Sequence, residues 1–317
     1  MRNIINPKNI IAFILVVTFV FPFSGGIYEI PEAEAAFRKV VFLTTADTTW
    51  TVPNDWNNQA NMVEVIGGGG GAGDGSNEGT GGAGGGAYSR SVNIPLTRGT
   101  VLNSTDNFSV GAAGAGGETN NASGTSGGNT WFNAASFALC TDSALCVKAE
   151  GGKLSAGNAI TNGAGGLASN GVGTKKTNGG DGGAGDDGTA DAGGGGGGAG
   201  GPWGDGGVGV AGTSTGAGGS GDAGYGGIGG STGTTNGVNG GNGSEWDSTH
   251  GSGGGGEGGT NGVAGGAGGS YGGGGGGGEV QASPFADGGP GLIVITYIPA
   301  GHVIRGNVKI RGLVKFR

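Results

Sequence analysis

The chain has 317 residues, 89 of them glycine, and a formal net charge of −8. A glycine share several times the usual ~7% excludes one conventional hydrophobic core running through the whole chain. The acidic balance argues against a nucleic-acid partner, which would require a basic face.

The N-terminus reads as a targeting segment. Arg2 and Lys8 precede an uncharged apolar run over 10–23, which Pro22 and Gly25-Gly26 close. Small residues at Ala33 and Ala35 offer cleavage before Ala36. The apolar run of 14 residues is short for a span of about 20. Residues 1–35 are therefore expected to be a signal peptide, with an uncleaved anchor as the alternative and the only route to a membrane. Either way the chain leaves the cytoplasm, which predicts a secreted or cell-surface protein.

From Val40 the composition becomes ordinary. Short β-branched and aromatic runs at 39–45, 48–52 and 62–66 are cut by Pro53 and Asn57-Asn58 and predict strands. A glycine run follows over 67–86. Further strand-like stretches lie at 87–94, 107–110, 130–133 and 145–149. Cys140 and Cys146 are six residues apart, and a close pair in an exported chain points to a disulfide. Zinc would need more ligands than His250 and His302, which are remote in sequence.

Between Gly157 and Gly291, 61 of 135 residues are glycine. Glycines recur three apart at 179–188, 218–230, 237–243 and, in the longest register, at 253, 256, 259, 262, 265 and 268. A helix of the polyproline-II type has three residues per turn. Glycine at every third position leaves such a helix one bare face. Two bare faces can approach until backbone N–H and C=O groups bond between helices, as in a polyglycine-II bundle. Collagen is excluded, because the registers break and the chain has only 9 prolines. Ordering glycine is entropically costly, so the bundle needs a conventional frame, tight dispersion contacts or assembly with other chains, and a disordered glycine-rich linker is the alternative. The strand predicted over 292–298, paired with an early strand, would close that frame around the bundle.

The last segment differs again. Ile304, Val308, Ile310, Val314 and Phe316 alternate with Arg305, Lys309, Arg311, Lys315 and Arg317, so an extended chain carries an apolar row and a basic row. This tail holds five of the 15 basic residues and no acid, whereas 36–300 carries 20 acids and 8 bases. A strand-forming tail over 300–317 is expected to pair with a sheet edge of a neighbouring copy or surface partner; the alternatives are a hairpin folded back on its own domain and attraction to an anionic envelope polymer.

No enzyme constellation is present, and no metal or cofactor is expected. His250 sits in a polar loop and His302 at the tail junction, both read as solvated. A phosphate loop is lacking, and the near-matches to calcium-binding nonapeptides miss the aspartate. Asp181, Asp186, Asp187 and Asp191 read as a solvated charge cluster. Four aromatics stand inside the glycine stretch: Trp203, Tyr225, Trp246 and Tyr271. On rigid loops they suit binding of sugars or proteins; the alternative is that they cap the bundle against the frame.

Several segments in order carry a resemblance. Thr49-Trp50-Thr51-Val52-Pro53 is followed by Val63-Glu64-Val65-Ile66-Gly67, Gly84-Gly85-Gly86-Ala87-Tyr88, Phe108-Ser109-Val110-Gly111 and Lys148-Ala149-Glu150-Gly151-Gly152. The series ends in Gly289-Pro290-Gly291-Leu292-Ile293-Val294-Ile295-Thr296-Tyr297. It resembles the glycine-rich domain of phage tail-fibre adhesins and bacterial surface proteins from about Val40 to Ile298. The resemblance implies strands leading into polyglycine-II helices, loops that touch a receptor in adhesin members, and no catalytic residues. The signal-like start favours a cellular surface protein over a phage fibre.

The expectation is a mainly β domain over 36–299, a short-strand frame around a polyglycine-II bundle with very little α-helix outside the signal segment. Its expected role is that of an exported, non-enzymatic structural or adhesive protein, partnered by a surface glycan or protein or by copies of itself. The alternative is an ice-binding protein, although the threonines here cluster rather than repeat.

Overall fold

The computed structural model describes residues 38–75, 79–118, 121–187, 192–213, 216–231, 237–260, 263–278 and 286–301. The targeting segment with Ala33 and Ala35, and the tail from Ile304 to Arg317, lie outside the described residues, as do His302 and Asp191.

Among the described residues ten strands form the frame: β1 (Lys39–Leu43), β2 (Thr49–Thr51), β3 (Asn61–Ile66), β4 (Tyr88–Val92), β5 (Val101–Asn103), β6 (Phe108–Ser109), β7 (Thr130–Phe132), β8 (Val147–Ala149), β9 (Lys175–Thr177) and β10 (Leu292–Tyr297). The main sheet is ordered β1-β10-β3-β4-β9, antiparallel throughout. As expected, β10 pairs with early strands, and it lies between β1 and β3. Two smaller antiparallel sheets, β2-β5 and β6-β7-β8, complete the frame. Among the described residues the only helical elements are 3-10 turns at Ala168–Asn170 and Asp222–Gly224.

Strand alternation divides the main sheet into two buried faces. Val63 and Val65 of β3 and Ile293, Ile295 and Tyr297 of β10 join Trp56, Phe108, Phe132 and Val147 in the principal core. The intervening positions face the other way. Ile66 and Tyr88 form a second cluster with Ala199, against which Trp246 and Tyr271 pack. Both faces being covered explains why all of β10 is buried and why its sequence is a continuous apolar run.

The glycine segments grow directly out of the strands. β3 runs into 67–75, and 79–87 returns into β4. β6 runs into 111–118, and 121–128 returns into β7. The remaining segments go out and back likewise, ending with 286–291 entering β10. None is a strand or an α-helix. Their backbone bonds follow a three-residue rotation. Gly67 and Gly70 donate to the carbonyls of Ala87 and Gly84, Gly68 and Gly71 to those of Gly128 and Thr125, and Gly69 and Ala72 to those of Gly289 and Ala286.

This rotation gives interior segments six neighbours. Segment 192–200 exchanges backbone bonds with 79–87, 178–186, 205–213, 216–222, 251–260 and 272–278. It is buried along its whole length, as are 67–75, 79–87, 251–260 and 272–278. Side chains are excluded at the glycine positions there: a Cβ on Gly196 or Gly197 would lie well inside 3.0 Å of the carbonyl oxygens of Gly274 or Gly180. Peripheral segments need glycine only where they face inward. In 205–213, Gly206, Gly209 and Gly212 are buried while Val208 and Val210 are exposed; in 178–187, Asp181, Ala184 and Asp187 take the outward row. Runs of pure glycine are thus interior segments, and spaced glycine marks the rim.

One sequence reading is corrected. The register from Gly253 to Gly268 is not one helix, because it is divided between 251–260 and the antiparallel neighbour 263–269, which bond to each other through Gly266 N–H to Glu257 O and Gly269 N–H to Gly254 O.

Candidate binding surface

The out-and-back course gives the bundle a frame end and a turn end. At the frame end the connections are the loops around 201–205, 222–225, 244–251 and 270–271. These carry all four aromatics singled out in the sequence, and the structure divides them into two pairs.

Trp246 and Tyr271 cap the sheet. Trp246 Nε1 donates to Glu64 Oε2 at 2.9 Å, and Tyr88 Oη donates to the other carboxylate oxygen at 2.6 Å. Glu64 is only 2% exposed, and this burial pushes its carboxyl above the ordinary range despite the two donors. Tyr271 lies parallel to the ring of His250, which stacks in turn on Phe42 of β1 at 3.8 Å between centroids. His250 is therefore not the solvated loop residue the sequence suggested. Its Nδ1 lies 2.8 Å from Asp247 Oδ2. The Thr249 N–H and the His250 contacts hold the Asp247 carboxyl down to about 2.

Trp203 and Tyr225 join neither cluster. They are 69% and 72% exposed, with ring centroids 6.3 Å apart and planes tilted by 53°. Val208, Val210 and Ile228 are exposed on the glycine segments that follow these loops. Beneath the pair lies Asp222, fully buried, with its carboxyl raised by that burial; Glu245 nearby is raised for the same reason. The sequence reading missed Glu64, Asp222 and the aliphatic strip. The strip was detectable as large residues breaking a glycine register, whereas the two acids carry no local signal.

Cys140 and Cys146 are joined in a disulfide on the β7–β8 connection. Asp142 organises the closed loop by accepting from the Ala144 N–H through its carboxylate and from the Cys146 N–H through its carbonyl. Leu139 and Leu145 stand exposed beside the bridge. Among the described residues no group of three or more His, Cys, Asp or Glu side chains is placed to hold a metal ion, and Asp181 is tied to the Gly165 N–H. No described helix is long and apolar enough to cross a membrane.

The succession of strand and glycine segment decides the family, for a glycine-rich domain matches over residues 44–298. The chain belongs to the glycine-rich domain family. No curated protein matches it. The matched span takes in the frame from β2 onward and the bundle, including all four aromatics and the cysteine loop.

Proposed function

We propose that this glycine-rich domain is an exported, non-enzymatic surface protein with a structural or adhesive role, built as a polyglycine-II bundle on a β frame. The observation carrying the reading is the three-residue hydrogen-bond rotation with six neighbours per interior segment. It supports a scaffold whose interior is spent on backbone, leaving recognition to loops and rim side chains. Rigid elements presenting loops are the usual platform for binding. The signal-like start supports export, and the segment order supports kinship with tail-fibre adhesins and bacterial surface proteins. The partner is a surface glycan or protein, or another copy engaged through the basic tail from Ile304 to Phe316 and Arg317.

Fractionation of cells producing the full chain tests this. The expected product begins at Ala36 and is released or removed by protease from intact cells. Retention of the unprocessed chain in the cytoplasm would overturn the reading. Sedimentation of the mature chain with and without 303–317 tests the tail: self-association should vanish on truncation, and high salt should weaken it.

A further inference from the structure

The loops bearing Trp203 and Tyr225 are braced against each other. Asp222 Oδ1 accepts from the N–H groups of Trp203 and Gly204 at 2.6 and 2.7 Å, and the Ala223 N–H donates to Asp205 O at 2.7 Å. The first loop is closed by Gly201 N–H to Gly204 O, and the second is anchored to the bundle interior by Asp222 N–H to Ala199 O. Asp222 and Ala223 both hold positive φ, 46° and 53°, an unfavourable backbone for residues with side chains. Asp222, buried and left-handed, and the left-handed Ala223 thus hold two rings that contribute to neither hydrophobic cluster. Two aromatics kept out of the core on braced loops are organised for something outside the molecule.

The surroundings select the ligand. The chain has no Lys or Arg between Lys176 and Arg305, and the cation nearest the loops is Lys175 of β9, which acts on the buried Asp222. Beside the rings, Asp205 and Asn178 are held together, with the Asn178 N–H and side-chain amide donating to the two Asp205 oxygens at 2.8 and 3.2 Å. Each carboxylate oxygen keeps a further lone pair for an outside donor. Ile228, three residues beyond Tyr225 in sequence, is 76% exposed and adds an apolar side chain to the segment that leaves this loop. Tilted ring faces and an adjacent carboxylate, which accepts from hydroxyls and repels anionic groups, suit uncharged pyranose rings, which present C–H faces and hydroxyl edges.

We propose that Trp203 and Tyr225 form a platform for a neutral polysaccharide, the rings stacking on sugar faces and Asp205 accepting from hydroxyls. The proposal rests on the adhesive reading and names its partner. Binding of the full mature protein to cellohexaose, chitohexaose and hyaluronan hexasaccharide is measured by calorimetry, with insoluble cellulose and chitin as pull-down matrices. At least one neutral probe should bind, with hyaluronan weaker. Trp203→Ala and Tyr225→Ala should each weaken binding tenfold or more, and Leu139→Ala, on the cysteine loop, should not. Circular dichroism and unfolding midpoints verify that each variant is folded. The proposal is overturned if the folded wild type binds none of the neutral probes, if it prefers hyaluronan, or if both aromatic variants bind unchanged. It is equally overturned if these substitutions instead dissolve a dimer seen in sedimentation, which would make the face a contact between copies. The surface reading fails separately, on the localisation of the wild-type chain.

Discussion

The frame and the bundle achieve packing by opposite means. In the frame, side chains fill the space between sheets: Trp56, Phe108, Phe132, Ile293 and Ile295 are fully buried, and burial of their apolar area is the stabilising term. In the bundle the backbone itself fills the space, and each turn of an interior segment bonds to its neighbours through N–H and C=O groups. A hydrogen bond adds only about 0.5–1.5 kcal/mol net, while ordering a residue costs about 1–2 kcal/mol. The bundle therefore depends on the frame from which its segments grow, and the two regions must respond oppositely to a change of side-chain size. Enlarging a residue should be ruinous in the bundle interior, and truncating one should be ruinous in the frame.

The largest expected effect is at the bundle centre. Gly197→Val sets a branched side chain against the carbonyls of Gly180 and Asp181, with backbone on every side and no flexible chain to yield. Ordinary overpacking costs about 1–3 kcal/mol. Here we expect a loss of about 5 kcal/mol or more, enough to consume the stability of a typical domain. Denaturant unfolding, or failure to recover soluble protein, measures it. The mirrored substitution in the frame, Phe132→Ala, should cost about 3–5 kcal/mol by the same measurement, through lost burial and a cavity.

The smaller effects sharpen the comparison where the regions meet. Glu64 joins β3 to Tyr88 and to Trp246 of a bundle loop, and its carboxyl is raised above the ordinary 4.5 by burial. The folded chain thus holds this proton to a higher pH than the unfolded chain does. Its contribution is most favourable below the ordinary value and declines as pH rises through the raised one. Asp74, Asp222 and Glu245 shift in the same direction. The unfolding midpoint should therefore be higher in mild acid than at neutral pH, and Glu64→Gln should flatten that dependence. Asp55, Glu150 and Asp247 are lowered instead, so their contributions disappear only as pH falls through their depressed values. The smallest effect is at the rim: Val208→Ala, on an outward row, should change stability by no more than about 0.5 kcal/mol.

Much of this architecture was legible in the sequence. Val63, Val65, Ile293 and Ile295 lie in β-branched runs whose alternation marks strands, and Leu292–Tyr297 pairs with early strands as its position implied. β5 and β9 were not legible, because Val101–Asn103 is three residues long and Lys175–Thr177 has no apolar residue to mark a buried face. The three-residue spacing pointed to bare faces but could not show where one segment gives way to the next, so the Gly253 to Gly268 register was read across two neighbouring segments, 251–260 and 263–269. The division of the aromatics was also hidden. Trp203, Tyr225, Trp246 and Tyr271 all stand among turn residues, and only the loop courses decide which lie over Glu64 and Phe42.

Amide hydrogen exchange tests most directly whether the glycine interior is a packed part of the fold. Amides over 193–198 and 274–277 donate to backbone carbonyls of surrounding segments, so they should exchange as slowly as those of Leu292–Tyr297, in a common global opening. The N–H groups of Val208, Ala211 and Ile228 find no acceptor among the described residues and should exchange fast. Rapid exchange throughout 193–198 and 274–277, with Leu292–Tyr297 still protected, would contradict the account and reduce the bundle to loose chain hung on a β frame.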